Sequence, residues 1–139
     1  MMKEKTLCII KPLAVQNGHI ASITKDIDNS GFRMCALHML QMTTNDAMHF
    51  YKVHAGKEFY DSLVAFMASG PVVVMVLEKE NAVADFRKLI GNTDPQNADK
   101  GTIRAKYAND ISHNAVHGSD SIENATKEIH FFFSDRELF

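Results

Sequence analysis

The sequence predicts an α+β fold, an antiparallel sheet with helices on one or both faces. Three observations carry this. Short apolar runs bounded by charge, glycine or proline read as strands. Between them lie stretches with apolar residues three and four apart, the spacing of one helix face. The two kinds alternate as strand, helix, strand, two helices, strand, helix, strand, helix.

TLCII at 6–10 is the first strand. Ile20, Ile23 and Ile27 share one face of a helix over Ile20–Asn29, with Gly31 as its stop. FRMCALHMLQM at 32–42 suits a strand with apolar residues on both faces. Thr44 or Asn45 would cap a helix running through Met48 and Tyr51, and a second helical piece spans Glu58–Ala68. Gly70 and Pro71 end that piece and begin the strand VVVMVLE. Asn81–Ile90 reads as a helix with Val83, Phe86 and Ile90 inward and Gly91 as its stop. NTDPQNADKG at 92–101 is a polar loop, long enough to suggest a functional one. A short last strand ends near His117, and a helix follows over Ser121–Phe132, with Asp120 and Glu123 spaced as a capping box.

The 139 residues are expected to form one domain, and 45% hydrophobic content is enough for a core. The net charge of −2 offers no basic face for nucleic acid. Cys8 and Cys35 lie in apolar runs and are expected as reduced core thiols. The start, MMKEKTLCIIKP, is too short in apolar residues for a signal peptide, and the longest apolar run, PVVVMVL at 71–77, is far short of a membrane span. A soluble, cytoplasmic protein is the expectation.

The stretch NAVHGSDS at 114–121 sets His117 against a glycine and three small polar residues. The glycine would leave space beside the imidazole, and the residues beyond it suit a helix start, where anions are favoured. Histidine could meet phosphate there. Neither G-x-x-x-x-G-K-S/T nor G-x-G-x-x-G occurs, so a phosphate site would have to be assembled from scattered side chains. Lys11, Arg87, Arg104 and the hydroxyl of Thr93 are candidates; each alone also reads as a surface group, and spacing does not say that they converge. His113 and His117 are four apart, but on a strand they would stand about 13 Å from each other, too far for one zinc. His19, His38, His49 and His130 read as structural or surface residues, and His54 is ambiguous.

Along nearly its whole length the chain resembles the nucleoside diphosphate kinases. Their signature N-x-x-H-G-S-D-S/A is matched by Asn114, His117, Gly118, Ser119, Asp120 and Ser121 without a gap, and IKP at 10–12, YKVHAGKEFY at 51–60, SGPVV at 69–73 and GTIR at 101–104 fall in the family's order. The resemblance implies a ferredoxin-like four-stranded antiparallel sheet covered by helices. It also implies transfer of the γ-phosphate of a nucleoside triphosphate to a nucleoside diphosphate, by a ping-pong route through a phosphohistidine on His117. That chemistry suits imidazole, which is largely neutral at pH 7 and conserves phosphoryl energy that water would waste.

By the same resemblance Lys11, Arg87 and Arg104 are the phosphate-binding cations and Thr93 a hydroxyl ligand. Tyr51 and His54 line the phosphate end, Asn114 and Lys11 hold the ribose hydroxyls, and Phe59 stacks on the base with Ile111 closing its other face. Glu128 orients the histidine, with Ser119 beside it. Magnesium (Mg2+) rides on the nucleotide phosphates, with no direct protein ligand. The family assembles as a homo-oligomer, dimers built into a tetramer or hexamer, and the loop with Asp94 and Pro95 matches one at trimer contacts in hexamers; read alone, it is a surface loop. Leu13-Ala14, Asn17 and Glu58 depart from the family's usual residues, Leu13 removing a carboxylate near Lys11. A rival reading, a binding module on the same fold without the chemistry, is opposed by the full set of matched catalytic residues.

Overall fold

A computed structural model describes residues 3–139; the first two residues of the N-terminal stretch lie outside the described residues. Four strands, β1 (Lys3–Ile10), β2 (Arg33–Leu40), β3 (Val72–Glu80) and β4 (Val116–Gly118), form one sheet in the order β2-β3-β1-β4. Every neighbouring pair is antiparallel. This is the ferredoxin-like order, with α3 (Thr44–Phe50) and α4 (Tyr60–Met67) inserted between β2 and β3.

Both faces of the sheet are covered, which is why the central strands are apolar on both sides. Cys8 and Ile10 of β1 join Val73, Met75 and Leu77 of β3 under α2 (Ile20–Asn29) and α5 (Ala82–Ile90), where Ile23, Ile27, Phe86 and Ile90 face inward. Leu7 and Ile9 join Val72, Val74 and Val76 on the other face, under α3, α4 and α7 (Ile122–Phe132). The strand's two-residue period sorts the side chains between these cores. Cys8 and Cys35 are both free and lie in opposite cores. Burial pushes the Cys8 thiol up to about 12.

Several boundaries differ from expectation. β1 begins at Lys3, because its charged first half still pairs with β3 from Lys3 opposite Glu80 onward. β2 is shorter than residues 32–42 and carries a bulge between Met34 and Ala36. The cap of α3 is Thr43: its hydroxyl accepts from the Asp46 N–H at 3.0 Å and the Asp46 carboxylate accepts from the Thr43 N–H at 2.9 Å. Tyr51 is the residue that ends α3. α4 starts at Tyr60, two residues after Glu58. At α7 the cap is Ser121, whose hydroxyl accepts from the Asn124 N–H at 3.0 Å, while Asp120 takes the Asn124 side chain and no capping box forms with Glu123. Two five-residue helices, α1 (Pro12–Gln16) and α6 (Ile103–Tyr107), are too short to show periodicity and were not expected.

Phe86 is fully buried at the centre of the first core, edge-on to Phe32 with ring centroids 5.6 Å apart. Phe86→Ala should therefore cost about 3–5 kcal/mol. Urea unfolding of the variant checks this; a loss below about 1 kcal/mol, the level of an ordinary substitution, would mean that this core is loosely packed.

Candidate active site

The site begins with the alternation of β4. His117 pairs with Ile9 and Gly118 with Cys8, so the imidazole points to the α7 face and the glycine to the α5 face. A Cβ on Gly118 would stand 2.9 Å from Phe86 Cδ2 and 3.1 Å from Ile90 Cδ1. The glycine is thus needed for close approach of α5. It does not clear space for the imidazole, as the sequence had suggested, although it contributes to the cleft wall.

On the α7 side, Glu128 Oε1 lies 2.8 Å from His117 Nε2 and accepts the Ser119 hydroxyl at 2.7 Å. Ser119 is fully buried, and its oxygen accepts the Leu7 N–H of β1 at 3.1 Å. The carboxylate can only accept, so Nε2 carries the proton and Nδ1 keeps its lone pair. The Phe50 ring closes the imidazole edge-on at 5.6 Å.

Chain entry into β4 is strained. The Val116 N–H donates to the Asn114 carbonyl at 2.9 Å across Ala115, which has φ of 74° and is buried. That is a γ-turn of the rarer hand, and a non-glycine residue held so costs about 1–3 kcal/mol. Arg104 of α6 spans it: Nε donates to the Asn114 carbonyl at 3.2 Å, Nη2 to the Val116 carbonyl at 2.9 Å and Nη1 to the Gly91 carbonyl at 2.9 Å. Gly91 ends α5 with φ of 87°, and a Cβ there would lie 2.6 Å from Thr102 Oγ1.

In front of His117 opens a cleft of about 910 Å³. Lys11, Tyr51, His54, Phe59, Arg87, Thr93, Arg104, Ile111, Asn114 and His117 all line it; Ser119 and Glu128 stand behind the imidazole. The segments that the sequence left scattered therefore converge. Sequence reasoning missed Leu63 and Phe66, which also line the cleft. Their spacing from Phe59, four and seven residues on, was a legible helix-face signal. His113 also lines the cleft; it lies in a loop, not a strand, bonded through Nδ1 to Asp110 at 3.0 Å and edge-on to Phe66 at 4.7 Å.

Electrostatically the cleft is lopsided. Its three cations are Lys11, Arg87 and Arg104, none in an ion pair among the described residues, and Asp120 is its single carboxylate there. Lys11 Nζ donates to Asn114 Oδ1 at 2.7 Å. Burial, and then the nearby Arg104 charge, hold Lys11 down at about 7. Burial and Arg87 lower Arg104 to about 10, which leaves it charged at neutral pH. Burial and Lys57 lower His54, whose ring lies 5.3 Å from Phe59. The Tyr51 hydroxyl is buried with no hydrogen-bond partner among the described residues, and burial raises its pKa. Among the described residues no three His, Cys, Asp or Glu side chains group as they would to hold a metal ion.

The family model described as nucleoside diphosphate kinase matches residues 4–138. The chain is 53% identical over 139 residues to a nucleoside diphosphate kinase of Flavobacterium psychrophilum, with the whole of both chains covered. It is 55% identical over 135 residues to one of Nitratiruptor, covering 97% of this chain and 98% of the relative. Among solved structures it is similar to the Aquifex aeolicus nucleoside diphosphate kinase, with a TM-score of 0.97 and 42% identity over 99% of this chain and all of the other. It is also similar to the Halobacterium salinarum enzyme in complex with CDP, with a TM-score of 0.95 and 39% identity over 99% and 92% of the two chains.

With Lys11 near 7, much of it is neutral at pH 8 in the free protein, and an anion in the cleft raises that pKa again. Polyphosphate binding should therefore take up a proton at pH 8 and weaken as the pH rises. Calorimetry of tripolyphosphate binding in two buffers of different ionisation enthalpy measures the uptake. The uptake in the parent should exceed that in Lys11→Met, whose remaining proton exchange belongs to the tripolyphosphate itself, and equal proton exchange in the two proteins would contradict the assignment.

Proposed function

The chain belongs to the nucleoside diphosphate kinase family, and from that premise we propose that its phosphotransfer between nucleotides runs by a ping-pong route through a phosphohistidine on His117. One observation carries the reading: the imidazole offers a bare Nδ1, with Nε2 taken by Glu128, at a cleft whose three cations form no ion pair among the described residues.

In the first half-reaction the Nδ1 lone pair attacks the γ-phosphorus of a nucleoside triphosphate. The bond from that phosphorus to the bridging oxygen breaks, and its electron pair leaves on the nucleoside diphosphate. In the second, a terminal β-phosphate oxygen of another nucleoside diphosphate attacks the phosphorus and the N–P pair returns to Nδ1. The imidazole gains positive charge as the N–P bond forms, and the Glu128 carboxylate, itself held by Ser119, stabilises it. Lys11, Arg87 and Arg104 offset charge on the transferred group and the leaving diphosphate, which is most of what phosphoryl transfer asks of a protein. Thr93 and the Tyr51 hydroxyl are further donors for phosphate oxygens, and His54 lines the same end.

Phe59 and Ile111, both half exposed at the cleft, take the two faces of the base, while Asn114 and Lys11 take the ribose hydroxyls. Apolar faces discriminate weakly between bases, which suits an enzyme serving both ribonucleotide and deoxyribonucleotide pools. Magnesium enters as part of the substrate, on the phosphate oxygens. Among the described residues Asp120 is the one carboxylate lining the cleft, and one carboxylate does not make a magnesium cage.

The reading extends to a single domain over residues 1–139 that assembles as a homo-oligomer. β2 is an edge strand of the sheet with Leu37 and Met39 about half exposed, a surface that a second copy would cover. No described helix is long and apolar enough to cross a membrane, and the proposed setting is the cytoplasm.

His117→Ala should remove transfer and spare nucleotide binding, because the side chain supplies the intermediate and little contact area. The test is exchange between labelled ATP and CDP alongside the nucleotide dissociation constant. Exchange above about a thousandth of the parent rate, given the usual scale of nucleophile removal, would defeat the phosphohistidine route.

A further inference from the structure

We propose that Arg104 is a positioning residue, whose guanidinium clamps the γ-turn at Ala115 and through it aims His117. This rests on the phosphohistidine reading and adds to the phosphate role given above for the same side chain. Three of the five guanidinium N–H groups are spent on backbone carbonyls, those of Asn114, Val116 and Gly91. Two of these carbonyls flank Ala115, the one described non-glycine residue besides Asn81 with positive φ. The third belongs to the residue that ends α5. Arg104 therefore ties the strained turn to a second, separately packed element, and two N–H groups remain for phosphate.

The consequence lies one residue further on. Val116 enters β4 from the turn and His117 follows it, with only a three-residue strand to fix its direction. β4 pairs with β1 at Cys8, Ile9 and Ile10, and the Lys11 N–H extends the ladder to the Ala115 carbonyl at 2.9 Å. If Ala115 relaxed to negative φ, that carbonyl and the Asn114 side chain would swing together. The bond from Lys11 Nζ to Asn114 Oδ1 would be lost with them. A lysine at 104 keeps the positive charge but cannot reach three carbonyls from one planar fork. A glycine at 115 adopts positive φ without the Cβ clash and so needs the clamp less.

The test is a two-by-two comparison of Arg104→Lys and Ala115→Gly, read as the single-turnover rate of His117 phosphorylation by ATP. Arg104→Lys should slow that step by up to about a hundredfold, the cost of misplacing a reacting group by about 1 Å. Ala115→Gly should recover about tenfold in the lysine background, by removing the positive-φ strain, and do little in the parent. Equal effects of Ala115→Gly in both backgrounds, or a parent-like rate in Arg104→Lys, would overturn the clamp and leave Arg104 with a charge role alone. If Arg104→Lys does not fold, the thermal midpoint of the double variant decides: a folded double supports the clamp and an unfolded one overturns it. A parent protein that forms no phosphohistidine defeats the proposed function instead, and the same midpoints then read the clamp on their own.

Discussion

The Oε1 atom of Glu128 accepts from His117 and from Ser119 at once, and the chemistry of the site depends on that double acceptance. It fixes which ring nitrogen carries the proton, and so which one keeps its lone pair. The atom is held from three directions: α7 carries Glu128, β4 leads into Ser119, and the Leu7 N–H of β1 fixes the Ser119 oxygen. Charge-assisted bonds of this kind are strengthened by partial burial, and both His117 and Glu128 are about one-fifth exposed. The packing of α7 on the sheet, through Ile129 and Phe133, is therefore also what positions Glu128 against His117.

A second constraint is the uncompensated positive charge opposite. Burying Lys11 and Arg104 without carboxylates is unfavourable in the free protein, and the lowered lysine pKa records it. In the proposed reaction an anionic ligand would remove that cost, and the cations stand in place before it binds. Phe59 and Ile111, also at the cleft, are half exposed and apolar. The cleft thus joins a buried, charged part to an exposed, apolar one.

Much of this was legible in the sequence, and the failures have physical reasons. The apolar runs marked β1 and β3 because both of their faces are buried, whereas the edge strand β2 keeps an apolar run with Leu37 and Met39 half exposed. The helix faces of α2 and α5 showed in their spacing. Five-residue helices such as α1 and α6 carry no period, and a run of Thr43, Thr44 and Asn45 offers several caps between which only the turn geometry decides. NAVHGSDS announced the histidine and its serine, yet Gly118 answers to Phe86 and not to the ligand. Convergence of Lys11, Arg87 and Arg104 was invisible to residue-by-residue reading, because it depends on β1 and β4 being neighbours. Least legible was Arg104, whose backbone partners are set by a turn conformation that alanine rarely adopts.

In the proposed mechanism Glu128 leaves Nδ1 of His117 as the nucleophile. This is tested most directly by 31P and nitrogen-correlated NMR of the protein after reaction with ATP at alkaline pH, with the nitrogen that bears phosphorus assigned from the coupling pattern. The expected outcome is one phosphoryl group, on Nδ1 of His117, transferable to added CDP. Phosphorus on Nε2, or on a serine with His117 unmodified, would contradict it.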